Sequence, residues 1–159
     1  MEKLIEKESV KRVMKSLKDF DKSLEVRVLD SSARTATDAA SSLNCEVGAI
    51  VKSLLLRTDD DFVLCLVSGD KRCSLNKVKK MIGKKDVSMA NADQVKDQTG
   101  FSIGGVSPIA HLKKSRVFID KSLSRFENVY AAAGHPNSIF KITYKNLIKI
   151  TEGVEEDIV

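Results

Sequence analysis

The chain has no tryptophan, only two prolines and two histidines in 159 residues, and just 5% aromatic side chains. An interior built from it must be mainly aliphatic, and the 42% apolar content is enough for one continuous core, so a single domain over 1–159 is expected. His111 and His135 are isolated, with no HxxxH spacing and no carboxylate cluster beside them, which argues against a catalytic metal; no other cofactor is implied. Three cysteines, Cys45, Cys65 and Cys73, form no CxxC pair and fit neither a zinc site nor a disulfide framework. A reduced, cytoplasmic setting follows as the expectation. No apolar run approaches the roughly 20 residues of a membrane span, and the first twenty residues interleave charges with apolar positions, so a soluble, unprocessed chain is expected. Charge of one sign is in modest excess: 27 Lys and Arg against 22 Asp and Glu give +5, which suits a polyanionic partner without requiring one.

What is present is a succession of short periodic segments. Val10, Val13, Met14 and Leu17 follow helical spacing and predict an amphipathic helix from Glu2 to about Asp21, its charged face solvated. Leu24 to Leu29 alternates with period two, as a half-buried strand does, before a polar break at Asp30-Ser31-Ser32. Thr35 to Leu43 reads as a short helix with Thr35 or Thr37 as cap and Asn44 as stop. Two largely buried strands, Ile50 to Arg57 and Phe62 to Ser68, are joined by the polar turn Thr58-Asp59-Asp60-Asp61. A second polar turn, Gly69-Asp70-Lys71-Arg72, precedes a helix from Leu75 to Ile82 between Ser74 and Gly83. Asn91 and Gln94 form a capping-box pattern for a helix ending at Gly100. Strands are expected at Arg116 to Ile119, Val129 to Ala132 and Ile139 to Thr143, with short helices near Lys121 and Tyr144. Strands mixed with short helices, without regular βα alternation, predict an α+β fold with a mixed, strongly curved sheet.

One charge is out of place. Lys52 lies inside Ala49-Ile50-Val51-Lys52-Ser53-Leu54-Leu55-Leu56, where an unpaired ammonium would cost several kcal/mol, so its head group needs an anionic or strongly polar partner. A cleft that binds an anion would supply one. Gly104-Gly105-Val106-Ser107-Pro108 has the composition of a loop whose N–H groups approach a ligand, glycine permitting the approach and proline stiffening it; it equally fits a plain turn. His135, between Gly134 and Pro136, either presents an imidazole to a cleft or faces solvent from a turn. His111, after Ile109-Ala110, reads as a satisfied, partly buried side chain. Asp59-Asp60-Asp61 at the hairpin tip and Glu152, Glu155, Glu156 and Asp157 in the C-terminal tail read as solvated surface. Ser53, Ser102, Ser107 and Ser138 show neither a GxSxG elbow nor a paired base, so no covalent nucleophile is expected.

Five segments occur together in an order that resembles the YbaK/prolyl-tRNA-synthetase-associated editing superfamily. They are Thr35 to Ala40, Ile50 to Leu54, Val67 to Arg72, Thr99-Gly100-Phe101 with Gly104 to Pro108, and Ala133 to Pro136, together spanning about Asp30 to Ile150. The resemblance implies a pseudo-barrel α+β domain that deacylates mischarged aminoacyl-tRNA in trans, clearing small residues such as alanine from tRNA for proline. By position, Lys52 resembles the family's essential lysine. Gly104, Gly105, Ser107 and Pro108 resemble its substrate loop, Gly134 and His135 its second pocket loop, and Thr35 and Ala39 belong to the helix lining the amino-acid pocket. The implied partners are the aminoacylated 3′ end of a tRNA and, for a trans-acting member, an aminoacyl-tRNA synthetase. The chain departs from the cysteinyl-tRNA branch, which resembles Gly-Lys-Arg-Gly-Leu-Asp where this chain has Gly134-His135-Pro136-Asn137-Ser138-Ile139. A non-catalytic tRNA- or nucleotide-binding module using the same cleft is the alternative expectation.

Overall fold

Ile50–Arg57 (β2) and Phe62–Ser68 (β3) pair antiparallel along seven positions, from Val51 opposite Ser68 to Arg57 opposite Phe62. Thr58 closes their turn: its N–H donates to Asp61 O at 2.8 Å, and its Oγ1 accepts from the Asp61 N–H at 3.1 Å. The structure is a computed structural model that describes residues 3–30 and 35–159. Around the hairpin, in chain order, lie α1 (Glu8–Phe20), β1 (Val26–Val28), α2 (Ala36–Leu43), α3 (Leu75–Ile82), β4 (Ser88–Met89), α4 (Ala92–Thr99), β5 (Arg116–Asp120), β6 (Asn128–Ala132), β7 (Ser138–Thr143), α5 (Tyr144–Thr151) and β8 (Val154–Glu156). Short 3-10 turns occupy Leu4–Glu6, Val47–Ala49 and Lys121–Arg125.

The fold is α+β, with an eight-stranded mixed sheet in the order β1-β7-β6-β2-β3-β5-β8 and β4 on the flank of β2. The pairs β2/β6, β3/β5 and β5/β8 are parallel; the rest are antiparallel. The two faces of the β2–β3 hairpin pack on different cores. Val51, Leu55, Leu64 and Leu66 join a cluster with Val13 and Leu17 of α1, Phe101, Phe140 and Leu147. Leu56, Val63, Cys65 and Val67 meet Val78, Val87, Phe118 and Ile158 on the other.

Local chemistry sets the helix ends. Thr35, Ser74 and Thr143 accept the N3 N–H of α2, α3 and α5 through their hydroxyls, and Asn91 and Gln94 complete a reciprocal capping box at 2.8 and 2.9 Å on α4. Gly83 and Gly100 end α3 and α4 in the left-handed conformation.

Three expectations are corrected. The N-terminal helix begins at Glu8 after a 3-10 turn, not at Glu2, and ends at Phe20; Glu2 and the Ser31-Ser32 break lie outside the described residues. β1 is limited to Val26–Val28, which are the residues that face Phe140 to Ser138 of β7. The C-terminal segment is not a free tail: Val154 to Glu156 add to β5 as an edge strand and Ile158 is fully buried, while Glu152, Glu155 and Asp157 lie on the solvated surface as expected and make contacts there. Lys114 pairs with Glu152 at 2.8 Å, Tyr144 donates to Glu155 at 2.5 Å, and Lys77 pairs with Asp157 at 3.0 Å.

Candidate functional site

β2 is fully paired on one edge and interrupted on the other. On the interrupted edge Ile50 and Val51 meet Tyr130 and Ala131 of β6, and Leu56 and Arg57 meet Met89 and Ser88 of β4. Lys52 to Leu55 have no strand register between these two partners, although Leu55 O accepts the Ala90 N–H at 3.0 Å. A cavity of about 410 Å³ occupies this break. Lys52 and Ser53 form part of its β2 wall, α2 contributes Thr35, Ala36 and Ala39, the loop after α4 contributes Ile103, Gly104 and Val106, and Tyr130, Pro136 and Ile139 close it. That volume lies in the range of small-molecule sites, and the lining is mainly apolar with a few polar groups, as such sites are.

The half-buried Lys52 donates through Nζ to the carbonyl oxygen of Lys71, in the turn after β3. Burial lowers its pKa below the ordinary lysine value; Arg72 repels it further, while Cys73, Asp120 and Asp70 act in the opposite direction. The turn that holds it is itself cross-braced. Buried Asp120 accepts the Ser68 N–H at 3.0 Å and also caps Ser122. Arg125 grips Asp70 with two hydrogen bonds, at 3.0 and 2.8 Å, and reaches Ser68 Oγ at 2.8 Å. Hydrogen bonding to Arg125 holds the Asp70 carboxyl well below the usual range. Cys73 lies beside the fully buried Cys65; a hydrogen bond between them lowers the Cys73 thiol and raises that of Cys65.

Two loops meet behind the opening. A Cβ on Gly105 would come within 2.8 Å of His135 Cα and 2.9 Å of its nitrogen, so only glycine lets the two backbones touch. Gly105 N–H is committed to Ser102 O at 3.0 Å. Gly134, at φ +95°, is pinned from the other side by α1: Ser9 Oγ donates to Gly134 O at 3.0 Å. His135 folds back over its own loop, with Nδ1 accepting the Asn137 N–H at 3.0 Å.

The structure thus brings Lys52, Gly104, Thr35 and Ala39 to one cavity wall. Gly105, Ser107, Gly134 and His135 do not line it; the first and last of these form the loop-to-loop contact next to Gly104 and Pro136. Buried Ser107 accepts the Ile109 N–H through Oγ at 3.3 Å, and its carbonyl bonds His111 Nε2 at 2.5 Å. Pro108 faces a separate cavity with His111, Ser16 and Phe20. His111 is largely buried with its ring edge-on to Phe101, and desolvation lowers its pKa. Sequence reasoning did not name Tyr130, Pro136, Val106 or Ser53 as site residues. Tyr130 comes from a strand brought to the wall only by the sheet, whereas Ser53, Val106 and Pro136 lie within segments already singled out in the sequence.

Residues 30–150 match the aminoacyl-tRNA editing domain family. The uncharacterized protein YwhH of Bacillus subtilis is 32% identical over 140 residues, covering 87% of this chain and 88% of YwhH. Proline–tRNA ligase of Thermosipho africanus is 32% identical over 110 residues, covering 69% of this chain but 19% of the ligase. In three dimensions the chain is similar to the crystal structure of a candidate trans-editing enzyme for prolyl tRNA synthetase, with a TM-score of 0.90, 35% identity, and coverage of 96% and 97% of the two chains. The chain belongs to the aminoacyl-tRNA editing domain family.

Proposed function

We propose that the protein is a trans-acting aminoacyl-tRNA deacylase that hydrolyses the ester of mischarged tRNA, with small amino acids such as alanine on tRNA for proline as its preferred substrates. The observation that carries this reading is the cavity at the break in β2, where Lys52 and Gly104 border a small, mainly aliphatic chamber. Trans action is supported by the similarity to the trans-editing-like structure, which extends over 96% of this chain and 97% of that one. The cytoplasm, where tRNA is charged, is the matching location; no helix among the described residues is long and apolar enough to cross a membrane.

In this reading the amino-acid side chain enters among Ala36, Ala39, Val51 and Ala131, with Thr35 at the rim. Lys52 orients the terminal adenosine and its phosphate. Water attack on the ester carbon places negative charge on the carbonyl oxygen, next to the backbone of Gly104 and Val106. Gly105, Ser107, Pro108, Gly134 and His135 fix the shape of the two loops. Among the described residues no carboxylate lines the cavity, so the ribose hydroxyl beside the ester assists the attacking water, and positioning supplies much of the acceleration.

The test is to incubate the protein with tRNA charged separately with alanine, serine, cysteine and proline and to follow loss of the ester. Turnover of the alanyl ester above the others supports the reading; tight binding with no turnover of any of them overturns it.

A further inference from the structure

Ser53 Oγ is buried and is the one buried side-chain oxygen or nitrogen among the described residues that has no hydrogen-bond partner. Ser53 is one of the residues that line the cavity, between Val51 and Leu55 on the same face of β2 and opposite Leu66 of β3. A hydroxyl left unpaired in such a place is costly, and a strand with aliphatic neighbours would accept alanine there without loss of packing. The other aliphatic-alcohol hydroxyls of the wall among the described residues are already engaged: Thr35 Oγ1 accepts from Asp38 N–H at 3.1 Å, and Ser138 Oγ donates to His135 O at 3.1 Å.

Every aminoacyl ester brings an α-amino group that needs acceptors once it leaves water. Among the described residues the cavity wall has no carboxylate to offer it, and Lys52, the one cation there, is turned to the Lys71 carbonyl. Ser53 Oγ has lone pairs to give. We propose that Ser53 Oγ accepts a hydrogen bond from the α-amino group of the bound aminoacyl ester, which makes Ser53 a substrate-binding residue that selects amino acids over simple acyl groups. The proposal rests on the deacylase reading for the identity of the ligand. It goes beyond that reading in assigning recognition of the amine to one atom.

The test compares tRNA esterified with alanine and with propionate, which has the same carbon skeleton and no amine. Wild type should prefer the alanyl ester in kcat/KM by about tenfold more than the two esters differ in uncatalysed hydrolysis, the worth of one such hydrogen bond. Ser53→Ala should lose about tenfold on the alanyl ester and stay within about twofold on the propionyl ester, reducing the preference to that of the uncatalysed reactions, while Ser53→Thr, which keeps the hydroxyl, should retain it. Equal losses on both esters, or no loss on either, overturn the proposal while leaving the deacylase reading in place. If wild type cleaves no ester, the deacylase reading fails. Binding of 3′-alanylamino- and 3′-propionylamino-3′-deoxyadenosine to wild type and Ser53→Ala then decides the Ser53 contact: selective loss for the alanyl compound supports it, and binding of neither compound overturns it.

Discussion

The two edges of β2 do different work. Along β3 the ladder runs unbroken from Val51 to Arg57, whereas the opposite edge is shared by β6 at one end and β4 at the other, with the cavity between them. A strand held firmly on one side tolerates a gap on the other, so the sheet keeps its stability while exposing a row of side chains to a ligand. Lys52 belongs to the open edge by this division, and Leu56, four residues on and fully buried, belongs to the closed core. The largest expected effect separates them. Lys52→Ala should lower kcat/KM for deacylation at least about 100-fold, since it removes the cation that binds and orients the terminal adenosine and its phosphate. Folding lowers the proton affinity of Lys52, so its charged form costs stability below its folded pKa, and that cost is relieved as pH rises through that value toward 10.5. Lys52→Met should therefore melt no lower than wild type at neutral pH. A steep fall in Tm accompanying the loss of activity would assign Lys52 to the scaffold.

Leu56→Ala tests the closed side. Removing a fully buried leucine side chain costs about 2–5 kcal/mol through lost transfer energy and the cavity left behind, readable as a shift of the denaturation midpoint. Activity per folded molecule should stay within about twofold. If activity falls with stability intact, the edges of β2 are coupled more tightly than the register implies.

The same division explains what was legible in the sequence. β2 and β3 were bounded to the residue because two apolar runs flank Thr58-Asp59-Asp60-Asp61, a local signal for a structure that is itself local. Ser74 and Gly83, like Asn91, Gln94 and Gly100, marked α3 and α4 because capping is chemistry between near neighbours. β4 and β8, two and three residues long, carry no period of their own and exist only through Leu56, Arg57 and the end of β5. The acidic run after Thr151 masked β8, although Ile158, a fully buried residue within it, was the clue to packing. At the site, Lys52 was visible as a charge in an apolar run. Tyr130 was not, since its place on the wall is fixed by β6 pairing in parallel with β2, a contact across about 80 residues of chain. The fold class, the charged centre and part of its wall, Thr35, Ala39 and Gly104, were therefore readable, and the share of the wall that β6 supplies was not.

Gly105 is where the open edge meets its loops, and a methyl group there is expected to matter less than the two changes above but in both properties. Its Cβ would press on His135 backbone atoms at 2.8, 2.9 and 3.1 Å, which no rotamer change relieves. Gly105→Ala should cost about 1–3 kcal/mol as an overpacking change and reduce kcat/KM, because Gly104 and Pro136 move with the loops. Gly83→Ala is the matched control far from the cavity. It has φ +69° but nothing within 4 Å of the new Cβ, so it should cost only the left-handed strain of about 1 kcal/mol and leave kcat/KM unchanged. Equal activity losses in the two variants would show that the loop contact has no special part in the site.

The smallest effect concerns the brace that holds the Lys71 carbonyl under Lys52. Asp70 and Arg125 are each 39% exposed, so solvent screening limits the pair to at most about 1 kcal/mol. The Asp70 carboxyl is depressed in the folded state, so its contribution is fully present above the ordinary value of 3.8 and is lost as pH falls through the folded value. Asp70→Asn should therefore lower Tm slightly at pH 7, and the difference from wild type should shrink as scans are taken below pH 3.8. A gap of constant size down to acid pH would mean that Asp70 acts through shape and not charge. Since Lys52 hangs from the same turn, the variant should raise KM more than it lowers kcat. An unchanged KM would show that Lys52 holds its place without the brace.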